Sequence, residues 1–168
     1  MAQEDSVTRE HAEVRAGDPF DWFLRIPNRL DLVGTVRGLA RATCEARGVE
    51  DEAMQEILLV LTEVVNNAIE HVKGRGEGGY HEVDIQFGIS PGGAEGVVVG
   101  RVVDEGEGGI VQGDFDAAAA PALDNDRGRG LFLIRAYVDD LAVSALPGVG
   151  TEVRFSRKVR LAAEGGQR

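Results

Sequence analysis

Three features of the sequence predict an α+β fold, a two-layer sandwich of helices on a mixed, mainly antiparallel sheet. Apolar residues alternate with period two in short runs, and Gly- and Pro-rich turns join most of these runs into hairpins. Two segments with helical periodicity lie between the first run and the rest, and 168 residues suffice for one core. Strands joined by hairpins, with helices gathered between them, favour this architecture over a doubly wound parallel sheet.

Taken in order, residues 1–18 are polar and charged and are expected to form a disordered tail ahead of a single domain over 19–160. Phe20, Trp22, Leu24 and Ile26 alternate as a strand that Pro27 ends. From about Asp31, Val33, Val36, Ala40, Thr43, Cys44 and Arg47 recur at helical spacing, and Gly48 is the stop. Asp51 and Glu52 place acid at the start of a second helix, in which Met54, Ile57, Leu58, Leu61, Val65, Ala68, Ile69 and Val72 form one long stripe. After a Gly-rich turn, Val83, Ile85 and Phe87 alternate, and Pro91-Gly92-Gly93 turns the chain into the run Val97–Val103. Residues 105–129 carry little periodicity beyond Asp114–Ala120, and a loop of this length is expected to be functional or mobile. Leu131–Val138 reads as a short helix, and Leu141, Val143 and Ala145 pass through Pro147-Gly148 into Val149, Thr151, Val153 and Phe155. Residues 161–168 are a polar tail.

Composition narrows the function. Lys+Arg 18 against Asp+Glu 29 gives a net charge of -11, which repels a nucleic-acid backbone. The first 19 residues hold no apolar run, so neither a secretory signal nor a membrane span is expected, and a cytoplasmic location follows. Cys44 is the one cysteine and reads as a small buried hydrophobe. Gly74–Gly79 satisfies G-x-G-x-x-G, but it follows a helix and precedes a strand, the reverse of the dinucleotide context. His11, His71 and His81 lack partners at metal-ligand spacing, so a zinc site is not expected.

Four short motifs carry chemistry. On the second helix, with Glu63 at the origin and about 100° per residue, Asn67 falls near 40° and His71 near 80°, away from the stripe near 180°. Leu59 and Val60 share that side, and a carboxylate and an amide among apolar residues suggest a cleft. Asp104-Glu105-Gly106-Glu107-Gly108 ends an apolar strand in an acid and two spaced glycines, which let a backbone lie close to a planar or anionic ligand. Arg127-Gly128-Arg129-Gly130 runs into the short helix, whose bare amides and positive dipole make a phosphate seat. Gly150-Thr151 opens the last strand. Taken singly, these also read as a solvated helix face, a Gly-rich turn, a loop rejoining a helix and a hairpin turn.

In that order, Glu63-x-x-x-Asn67, Asp104-x-Gly106-x-Gly108, Gly128-x-Gly130 and Gly150-Thr151 resemble the boxes of the GHKL ATPases. The length and the phrase Gly128-Arg129-Gly130-Leu131-Phe132-Leu133-Ile134-Arg135 are most similar to the anti-sigma-factor serine/threonine kinases of the RsbW type, over about residues 20–160. The resemblance implies a Bergerat-type fold, ATP with Mg²⁺, and phosphorylation of a small anti-sigma antagonist by a protein that binds a sigma factor. It implies that Asn67 holds Mg²⁺, that Glu63 accepts the proton of a serine hydroxyl, and that Asp104, with Thr151, reads the adenine amino group. Gly106 and Gly108 would lie against the nucleotide, and residues 109–130 would form a lid whose Gly128 and Gly130 amides touch phosphate. Ala117–Ala120 and Pro121 offer the lid no polar contact, so its cation must be Arg127 or Arg129. His71, one turn after Asn67, is either a ligand contact or an orienting histidine. The resemblance also implies a homodimer through the first strand and helix. Two other readings share the boxes: a nucleotide-gated binding module without phosphotransfer, and a histidine-kinase fragment. The last lacks a helical hairpin with a phosphoacceptor histidine in residues 1–30.

Overall fold

A computed structural model describes residues 19–72, 81–106, 129–147 and 149–162. The elements run β1 (Trp22–Pro27), a 3₁₀ turn (Leu30–Leu32), α1 (Val33–Ala46), α2 (Asp51–Val72), β2 (Glu82–Gly92), β3 (Glu95–Asp104), α3 (Arg129–Tyr137), β4 (Asp140–Leu146) and β5 (Gly150–Arg160). The five strands form one sheet in the order β1-β2-β3-β5-β4. All four pairings run antiparallel, so the antiparallel part of the expectation accounts for every described pair. The expected tail over 1–18 and most of the expected lid lie outside the described residues.

Alternation along the strands sends one set of side chains into the core. Ile26, Val83, Ile85, Phe87, Val98, Val102, Val153 and Phe155 are buried on the face that α2 covers. The register continues that face to the strand ends, where Asp104 lies opposite Thr151. Trp22 stacks on Phe87 with centroids 5.5 Å apart and donates its indole N–H to Thr43 Oγ1 at 2.9 Å, which ties β1 to α1.

Helix α1 buries Val33, Val36, Ala40 and Cys44, four of the six positions that the spacing assigns to its inner face. Arg47 is a correction: it is exposed at the helix end, where its guanidinium pairs with Asp21. A fully charged side chain at the last turn gains more from water and a carboxylate than from the core. Gly48 follows with φ +70, a left-handed stop that glycine adopts without steric cost. Burial pushes the Cys44 thiol up to about 11, in keeping with a packing role.

Helix α2 buries more than one stripe. Met54, Ile57, Leu58, Leu61, Val65, Ala68 and Ile69 are buried as expected, but so are Val60 and Val64, because α3 packs on that flank. Helix α3 is anchored from behind by Arg157, which donates to the Tyr137 carbonyl at 2.9 Å, pairs with Glu56 on α2 and lies over the Tyr137 ring.

Candidate functional site

The candidate residues fall in two groups, one where α2 meets the first turn of α3 and one at the ends of β3 and β5. Glu63, on α2 next to the buried Val64, is half-buried itself. Its Oε2 lies 2.5 Å from where a Cβ on Gly130 would stand, so only glycine lets the first turn of α3 come this close to the carboxylate. Thus the long helix and the first turn of the short one, far apart in sequence, meet at Glu63 and Gly130. Burial first, and then the charge of Glu70, hold the Glu63 carboxyl above its ordinary range. A carboxylate raised in this way is a stronger proton acceptor when ionised.

One turn on, Asn67 is half-buried, and its Nδ2 is buried with no hydrogen-bond partner among the described residues. A buried amide without a partner costs about 1–3 kcal/mol, so the position suits a polar ligand. Rotating the amide by half a turn puts its oxygen there, a hard donor of the kind Mg²⁺ takes. Arg37 braces this stretch from α1, donating to the Leu58 carbonyl and to Thr62 Oγ1, both at 3.2 Å.

In the second group, Asp104 is 3% exposed and its Oδ1 accepts the Gly106 N–H at 2.7 Å. This bond closes a tight turn at the tip of β3. Gly150 supports the turn from β5: a Cβ there would stand 1.7 Å from the Asp104 carbonyl oxygen and 2.8 Å from the Glu105 Cα. Thr151, buried, is the cross-strand neighbour of Asp104. The acid and the hydroxyl that the sequence separates by 46 intervening residues are therefore paired by the ladder.

Glu63 and Gly130 come together, as do Asp104, Gly106, Gly150 and Thr151. Gly108, Arg127 and Gly128 lie outside the described residues. His71 is in the last turn of α2 and Arg129 opens α3, but their side chains are likewise outside what is described. Sequence reasoning passed over two residues that support the turn. Glu105, 9% exposed, has its Oε2 3.2 Å from His81 Nδ1 and accepts the Glu82 N–H at 3.4 Å. The only signal was the adjacency of Glu105 to Asp104; His81 was weighed there as a metal ligand alone. Among the described residues no helix is long and apolar enough to cross a membrane.

Comparison with known proteins bears on this arrangement. Residues 26–157 match the family described as histidine kinase-like ATPase domain. No curated protein matches the chain. Among solved structures, the chain is similar to the crystal structure of the RsbU and RsbW domains of Rv1364c from Mycobacterium tuberculosis. The TM-score is 0.55 and the identity 19%, over 87% of this chain and 35% of that one. The chain thus spans about a third of that protein's length, and at this identity the likeness concerns the fold.

Proposed function

The chain belongs to the histidine kinase-like ATPase domain family, and from that premise we propose that it is an ATP-dependent serine/threonine protein kinase of the cytoplasm. Its substrate on this reading is a small anti-sigma antagonist, and its inhibitory target a sigma factor, bound as a homodimer. The observation that carries the reading is the contact of Glu63 with Gly130: a carboxylate of raised basicity held against the first turn of a helix, whose amides and dipole suit a phosphate.

The residues divide the work. Asp104, with one oxygen already fixed by Gly106, has acceptor capacity for an adenine amino group, and Thr151 stands beside it with a hydroxyl. Gly130, at the start of α3, turns backbone N–H groups toward the phosphates, and Arg127 or Arg129 supplies a cation. Asn67, whose buried Nδ2 has no partner among the described residues, would hold Mg²⁺ on this reading. Held by Asn67, Mg²⁺ would supply positive charge that offsets the charge on the phosphate oxygens. Glu63 orients the serine or threonine hydroxyl and takes its proton as that oxygen bonds to the γ-phosphorus and the bond to ADP breaks. Positioning contributes most in such a reaction, which is why a fixed helix matters more here than covalent chemistry.

Titration of the full-length protein with labelled ATP, with and without Mg²⁺, tests the site. Metal-dependent binding that Asn67→Ala loses supports it, and binding indifferent to both removes it. Incubation with Mg-ATP and a cognate antagonist should then yield phosphoserine or phosphothreonine in the wild type and none in Glu63→Gln. ATP binding without transfer to any antagonist would instead favour a nucleotide-gated binding module.

A further inference from the structure

On the nucleotide reading, on which this inference rests, the turn Asp104–Gly106 is the purine-facing edge of the site. Its middle residue, Glu105, has no part in that reading, yet it is nearly buried. A buried carboxylate needs compensation. It finds His81 Nδ1 at 3.2 Å and the Glu82 N–H at 3.4 Å. His81 is itself fixed by the backbone, since its carbonyl accepts the Asn28 N–H at 2.9 Å.

Among the described residues, the other charges around the pair belong to Arg25 on β1 and to Glu82 and Asp84 on β2. Arg25 is held first by its hydrogen bonds to Asp84, at 2.6 and 2.8 Å, and only then by the more distant fields of Glu82 and Glu105. Its field favours the ionised Glu105, and among the described side chains His81 is the one within hydrogen-bond distance of that carboxylate.

A second observation concerns the far side of the ring. His81 Nε2 is buried with no hydrogen-bond partner among the described residues, and so is Asn28 Oδ1. The two residues face one another one step beyond the Pro27–Glu82 pair of the β1–β2 ladder. Directly opposed residues have Cβ atoms about 5 Å apart. Neutral imidazole has one N–H, whereas imidazolium has two. The charged ring thus keeps a donor for Glu105 and gains a second N–H at the buried Nε2.

We propose that His81 is a positioning residue for the nucleotide site: its protonation tightens the hold on Glu105, fixes the Asp104–Gly106 turn in its binding form and makes nucleotide affinity rise as pH falls.

The test uses the full chain and Mg-ATP, with Kd measured by calorimetry at about pH 6 and about pH 8. From the gap between charged and neutral hydrogen bonds, the pH 8 to pH 6 ratio of Kd should be roughly two- to fivefold larger in the wild type than in His81→Gln. The titration of ATP itself is common to both and cancels. Glu105→Gln should flatten the dependence equally, and the double variant should add nothing. By reciprocal linkage, saturating ATP should also move the midpoint of the His81 ring titration in the unmutated chain to higher pH, read by NMR without any variant. Equal ratios in wild type and His81→Gln, or a midpoint that ATP leaves in place, overturn the inference while the kinase reading stands. No ATP binding at either pH overturns both.

Discussion

Replacing Gly130 by alanine separates the placement of Glu63 from nucleotide binding and from stability. The added methyl would stand 2.5 Å from Glu63 Oε2, whereas ordinary contact begins near 3.4 Å, so the carboxylate must retreat by about 0.9 Å, the difference between the two. It can do so, because Oε2 is the free end of a flexible side chain and no backbone atom lies as close. The alanine keeps its N–H, so a phosphate seat at the start of α3 survives, and in a helix alanine is favoured over glycine by up to about 1 kcal/mol. A catalytic group misplaced by about 1 Å loses roughly 100-fold in rate, or about 2.7 kcal/mol. The expected signature is a melting temperature unchanged or slightly raised, an ATP Kd within about threefold of wild type, and single-turnover phosphoserine formation on the antagonist slowed about 100-fold. Glu63→Gln should lose at least as much, and the double variant no more than Glu63→Gln alone. Wild-type transfer by Gly130→Ala would refute the reasoning, and so would a loss of rate matched by an equal loss of ATP affinity.

Other outcomes follow from the same geometry. Because the folded-state pKa of Glu63 is raised, its contribution to stability is fully present below the unfolded value and is lost as pH rises through the folded one. Glu63→Gln should therefore raise the melting temperature at neutral pH, with a gain that shrinks toward acid pH, while wild-type phosphotransfer should fall on the acid side above the ordinary carboxylate range. Gly150→Ala drives a methyl to 1.7 Å from the Asp104 carbonyl and should cost about 3 kcal/mol in urea denaturation, along with ATP binding. Arg157→Ala removes the bonds to Tyr137 O and Glu56 and should lower stability by about 2 kcal/mol, with faster amide exchange confined to α3.

Much of the fold was legible because burial imposes periodicity. The strands, both long helices and both hairpins follow from alternation, spacing and turn residues, and Gly48 ends α1 where the pattern stops. The errors lie where a neighbour outside the local pattern decides. Arg47 has the right spacing for the α1 core but lies at a helix end with Asp21 in reach. Of the candidate site, Glu63, Asn67, Asp104, Gly106, Gly130 and Thr151 were all named from the sequence. The roles of Glu105 and His81 were not, since nothing local says that a residue just before β2 will grip one just after β3.

By itself the sequence determined the elements and the chemical character of each motif, since periodicity, turn chemistry and side-chain type are local properties that one chain segment carries whole. Only the tertiary structure decided which motifs touch: that Gly130 meets Glu63, that Thr151 stands across from Asp104, and that His81 holds Glu105. The reason is that such meetings depend on strand order and register, which the whole core selects through the burial it offers and no single segment encodes.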